Sequence, residues 1–218
     1  MPATPAPALA PPRAAAVAGV IFSVLLGVSL VLIRLAVPAY QHDPGDWVND
    51  PGRRNAVRFA LQMAPFSGVA FLWFIGVLRN RLGELEDKFF ATVFLGSGLL
   101  FVASLFVTAA WAGALLDAMT QDGTSPAFND TFHLARFVIG ATMNVFAIKM
   151  AGVFMASTST IIYRTRILPR WVSFSGFVCA AVLLLVITSW PWITLLFPLW
   201  ILAVSLRILL VEFRPTSP

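Results

Sequence analysis

One lysine stands where the chain is otherwise at its most apolar. Lys149 lies in NVFAIKMAGVF, near the middle of a long hydrophobic run with no Asp or Glu inside it. An ionisable group at such depth costs about 2.5–3.5 kcal/mol even on insertion scales and is a functional candidate by default. All ten acidic residues fall in loops or at span ends. Lys149 therefore has to shed its charge, snorkel, face water, or meet carbonyls or a bound anion. The same run carries His133, Arg136, Gly140 and Asn144 at spacings of three, four and four, which puts them on one helix face. By that wheel Lys149 lies nearly opposite His133, as on a central helix with protein or water on two sides.

Arg34 and Arg58 fall at a similar depth near the ends of the first two apolar runs. With Arg136 they could form a basic pocket for an anionic headgroup, with Asn144 and His133 as polar neighbours. The competing reading is that these arginines snorkel or pair with nearby aspartates. Candidate substrate-binding residues are thus Lys149, Asn144, Arg136, His133, Arg34 and Arg58. No catalytic or metal-binding residue is proposed. His42, His133 and Cys179 make no metal spacing, and HExxH, GxSxG and phosphate-loop patterns are absent. No cofactor is expected, since Gly96-Ser97-Gly98 lies inside an apolar run with no strand before it.

The elements that must position these residues follow from composition. Of 218 residues, 59% are hydrophobic and only 11% charged, against roughly 25% charged in an ordinary soluble domain. A soluble fold of this size could not cover its surface with so little charge, and a disordered chain would be far less apolar. The surrounding solvent is lipid. A hydrocarbon layer about 30 Å thick takes roughly 20 apolar residues as a helix. Six runs qualify, at about 14–38, 56–78, 89–116, 132–162, 171–189 and 192–211, and their continuous rather than alternating apolarity rules out a barrel. The expected fold is all-α, a single six-helix transmembrane domain over 14–211. A Pro/Ala-rich tail precedes it at 1–13, and a short tail follows at 212–218.

The formal charge of +5 reads as sidedness rather than as a nucleic-acid surface. One side gathers Arg13, Arg79, Arg81, Lys88, Arg164, Arg166, Arg170, Arg207 and Arg214 against four acids. The other holds Arg34, Arg53, Arg54, Arg58 and Arg136 against six aspartates. The basic side belongs in the cytoplasm, so both termini do too. Trp47, Trp111, Trp190 and Trp192 would mark the outer interface, Trp73 and Trp171 the inner one.

Ala15, Gly19, Ser23 and Gly27 repeat at spacing four, a small-residue face for a close helix partner inside the chain, in a second copy or in another membrane protein. Pro65 and Pro198 interrupt the second and sixth runs and predict kinks there. Asp43-Pro44-Gly45-Asp46 and Asp50-Pro51-Gly52 read as turns.

The runs FLWFIGVLRNRLGELEDKFFATVFLGSGLLFVA (Phe71–Ala103) and NVFAIKMAGVFMASTSTI (Asn144–Ile161) resemble a family of uncharacterised multi-span membrane proteins of actinobacteria. So do LPRW (Leu168–Trp171) and WITLLFPLWILAVS (Trp192–Ser205). The likeness covers most of the chain from the second span onward. It implies a bacterial plasma membrane, and it brings no catalytic or binding residues. The leading expectation is a non-enzymatic membrane or accessory subunit. A carrier or binder of an anionic or amphipathic substrate at Lys149 is the alternative, and a membrane-embedded enzyme ranks last.

Overall fold

A computed structural model describes residues 12–37, 46–82, 88–121, 126–166, 168–185 and 191–212. Every regular element among them is helical. The α-helices are α1 (Pro12–Ala36), α2 (Pro51–Leu82), α3 (Lys88–Gln121), α4 (Pro126–Ala141), α5 (Ile148–Thr165), α6 (Arg170–Leu185) and α7 (Leu196–Glu212). A π-helical turn, Thr142–Ala147, joins α4 to α5 without a loop, and 3-10 turns at Asp46–Asn49 and Pro191–Leu195 lead into α2 and α7.

Five segments are long and apolar enough to cross a membrane: Ala14–Ala36, Pro51–Arg79, Ala91–Thr120, Thr131–Thr165 and Trp192–Leu210. The chain is an all-α polytopic membrane protein. The run expected to span at 171–189 is described only as far as Leu185, as the 16-residue helix α6, and its remainder, 186–189, lies outside the described residues. Most of residues 1–13 and 212–218, and much of the loops expected to hold Asp43, Glu84, Glu86, Asp87 and Asp122, lie outside the described residues.

Local chemistry explains the breaks. Asp50 Oδ1 accepts the Gly52 N–H at 2.8 Å and the Arg53 N–H at 3.4 Å, so the expected Asp-Pro-Gly turn caps the start of α2. At the end of α5, Arg166 turns left-handed (φ 55°) and its N–H returns to the Ile162 carbonyl at 3.0 Å. Pro65 sits within α2. Pro198 lies in the first turn of α7, just after the 3-10 turn Pro191–Leu195 and within the Trp192–Leu210 span.

The helices meet around phenylalanine. Phe71 of α2 contacts Phe22 of α1, Phe101 of α3, Phe154 of α5 and Phe197 of α7 at ring-centroid distances of 4.5, 5.4, 5.1 and 5.5 Å. Offset and edge-on aromatic pairs add specific attraction to burial, and here they fix five helices to one centre. Phe22, Phe71 and Phe154 are fully buried. A second, smaller apolar cluster unites Ala36, Trp47, Val48, Val57, Leu115, Leu116, Met119, Phe132 and Ala135 at the end of the bundle where α1 finishes. Trp47 is therefore a core residue, 7% exposed, and not the interface marker expected of it. Trp73, Trp111, Trp171 and Trp192 are exposed as a belt requires, and Trp190 lies outside the described residues.

The small-residue face of α1 turns inward for half its length. Gly19 and Ser23 are buried, and a methyl group on Gly19 would collide with Ser205 of α7 and Phe74 of α2. Close helix approach is what small residues supply in lipid, and here the chain uses it on itself. Only Gly27 has open space above it.

Candidate functional site

The structure separates the polar residues of the fourth span into two places. Lys149 belongs to the first. Its Nζ donates to the carbonyls of Leu183 at 3.0 Å and Leu184 at 2.7 Å, in the last turn of α6. A carbonyl oxygen carries two lone pairs and can accept a second hydrogen bond, and an ammonium within a bilayer needs such acceptors in place of water. Gly152 makes this reach possible: a Cβ on it would lie 2.9 Å from Leu184 Cγ, so α5 and α6 approach closely just where Lys149 extends. Of the four fates open to Lys149, the structure realises contact with carbonyls.

The second place is a cavity of about 230 Å³ at the level of the α1 C-terminus. It lies between the two apolar clusters. Leu26, Leu30 and Leu105 line it from the phenylalanine core, and Trp47, Leu115 and Met119 from the smaller one. Arg34 of α1 and Arg136 of α4 both line it, with Gly140 and Asn144 further along the α4 face. The expected stripe Arg136, Gly140, Asn144 is thus brought to one site.

Among the described residues, the lining of the cavity holds two guanidinium groups and no carboxylate. Arg136 lies 5.8 Å from the centre of the Phe132 ring, a cation–π geometry that orients it. Among the described residues no carboxylate pairs with Arg34. Of the neutral polar groups that line it, Ser29 donates to Leu25 O and Thr108 to Ser104 O, both at 2.8 Å, while the buried Trp47 indole N–H has no partner among the described residues. The arginines carry the only charges of the described lining. Planar guanidinium forks match carboxylate and phosphate oxygens in pairs.

Three expected site residues lie elsewhere. Lys149 holds the end of α6. Arg58 is exposed and sits 3.7 Å from Asp117 of α3, so the aspartate-pairing alternative holds for it. His133, one turn before Arg136, is exposed at the edge of the Phe132 ring and does not reach the cavity. Sequence reasoning missed two contributors, Trp47 and the π-helical turn. Such turns occur disproportionately at functional sites, and this one carries Met143 and Asn144 into the lining. No sequence signal marks it, because TMNVFA is an ordinary helical string.

Among the described residues no group of three or more His, Cys, Asp or Glu is placed to hold a metal. Cys179 is half-buried against the core as a packing residue. Comparison of the chain with protein-family models, curated proteins and solved structures returns no match.

Proposed function

We propose that this chain is a multi-pass protein of a bacterial cytoplasmic membrane that binds an anionic, amphipathic molecule between Arg34 and Arg136. The observation that carries the reading is the convergence of two guanidinium groups on one largely apolar cavity. An anion placed between them gains charge-assisted hydrogen bonds from two helices at once. The apolar remainder of the wall suits a ligand with a hydrocarbon part. The binding role considered for Lys149 passes to the arginine pair, and the protein acts by binding rather than by catalysis.

The test uses the purified chain in maltoside micelles with dodecyl phosphate as the probe. Dodecyl phosphate should raise the melting temperature, Arg34→Gln or Arg136→Gln should abolish the rise, and Lys149→Gln should keep it at a lower starting temperature. Loss of the rise in Lys149→Gln alone, with both arginine variants responding normally, would refute the site.

The excess of Lys and Arg on the side of the 79–88 and 164–170 loops supports placing both termini in the cytoplasm, with the cavity toward the outer leaflet. The resemblance to actinobacterial membrane proteins supports the membrane assigned. A C-terminal reporter fusion active in the periplasm would reverse this orientation.

An accessory role within a larger assembly is the second reading, and Gly27 favours it: no atom lies within 4 Å of a Cβ built there. Disulfide trapping of Gly27→Cys in a Cys179→Ser background, in native membranes, should then capture a partner or a second copy. A variant that stays uncoupled under oxidation removes that reading.

A further inference from the structure

The route into the cavity is readable from how its walls pack. The α1 helix runs along α2 and α7, and α4 packs on α3, while α1 and α4 share no extended contact. Among the described residues, Arg34 and Arg136 therefore line the cavity from the two sides of a seam between helices that do not pack closely on each other. Toward the helix ends, Trp47 and Val48 pack with Leu115, Leu116, Met119 and Phe132 into the smaller apolar cluster, which lies across the approach from water among the described residues.

Exposed apolar side chains flank the seam, as contact with hydrocarbon requires. Leu35 beside Arg34 and Phe137 beside Arg136 are 69% and 66% exposed. On the π-helical turn Val145 and Phe146 are exposed as well, and between them and the cavity stands Asn144. An amide on a lipid-facing wall is costly unless it has something to bind. Gly140 leaves the wall beside it open: a Cβ there would be 3.9 Å from the Asn144 amide nitrogen. Arg136, Gly140 and Asn144 thus form a polar track from inside the cavity to the lipid-facing surface.

From this geometry we infer that the cavity is loaded sideways from the bilayer, and that its ligand is an anionic membrane lipid. The phosphate or carboxylate of the headgroup sits between Arg34 and Arg136. Asn144 hydrogen-bonds the polar linkage below it, and the acyl chain lies in the α1/α4 seam against Val145 and Phe146. This rests on the arginine site proposed above and adds its ligand class and direction of access. A free phosphate shares the headgroup chemistry but has no use for the seam.

Native mass spectrometry of the whole chain, loaded with phosphatidylglycerol or phosphatidylcholine and challenged with inorganic phosphate, separates these possibilities. The wild type should retain phosphatidylglycerol over phosphatidylcholine by about tenfold or more, the scale of one charge-assisted hydrogen bond, and inorganic phosphate should not displace it. Gly140→Leu, which fills the seam, should lose the retained lipid. Asn144→Leu, an exposed change that spares the fold, should lower retention several-fold, and it carries the test if Gly140→Leu fails to assemble. Retention at the wild-type level in these seam variants, or displacement by inorganic phosphate, overturns lateral loading while leaving the arginine site intact. Wild-type retention in an Arg34→Gln/Arg136→Gln double variant overturns both.

Discussion

Lys149 Nζ sits 2.7 Å from the Leu184 carbonyl oxygen, tying the middle of the Thr131–Thr165 span to the last described turn of α6. The contact explains why a lysine occupies an apolar run with no acid near it in sequence. The ammonium reaches across from α5 to two backbone carbonyls of α6. Replacing Lys149 by Met keeps the bulk and removes the donor. The expected cost is about 1–3 kcal/mol, the penalty for a buried acceptor left unsatisfied, visible as a lower melting temperature in detergent. Lys149→Arg should recover part of the loss. Equal stability of all three proteins would show that the contact contributes nothing.

Arg34 and Arg136 line one cavity from α1 and α4. Neutralising either should weaken the protein's response to anions more than it changes the ligand-free protein. Melting curves with and without dodecyl phosphate measure both effects at once. An unchanged anion response in both variants would mean that the guanidinium groups serve the fold and not an anion.

Phe71 touches rings from four other helices, so it is the side chain whose truncation should spread furthest. Phe71→Ala is expected to cost about 3–5 kcal/mol and to reduce yield in membranes, with Phe71→Leu much milder. Thermal unfolding and size-exclusion profiles report the difference. Similar behaviour of the two variants would deny the rings their central role.

Gly152 faces Leu183 and Leu184. Gly152→Val should push α6 off α5, costing about 1–3 kcal/mol as overpacking does, and should draw the Leu184 carbonyl away from Lys149. Coupling shows in a double-mutant cycle: added to Lys149→Met, Gly152→Val should cost less than it does alone. Strict additivity of the two changes would separate the close approach from the lysine contact.

Arg58→Ala should change melting temperature and anion response little. Its pairing with Asp117 is solvent-exposed, with 48% and 66% of the two side chains accessible, and such pairs contribute about 0–1 kcal/mol. A large loss of anion response would return Arg58 to the binding site.

Much of the fold is legible in one dimension because lipid imposes a strong rule. Backbone groups must bond internally, so uninterrupted apolar runs of sufficient length become helices. Composition alone therefore determines the membrane class, the helical fold and the positions of the long spans. The Arg136, Gly140 and Asn144 alignment follows from helical periodicity, which is local. Asp50 as a helix cap is local too.

Only the tertiary structure decided what each buried polar group touches. Lys149 and Leu184 are 35 positions apart, and only the packing of α5 on α6 brings them together. Arg34 and Arg58 look equivalent by depth, yet packing turns one into the cavity and the other toward Asp117. Gly19 reads as an open face until α7 closes on it. Hydrophobicity and helical period are properties of neighbouring residues, so the sequence carries them directly. The pairing of one helix with another depends on how side chains from distant segments fill space together, and that information exists only once the chain has packed.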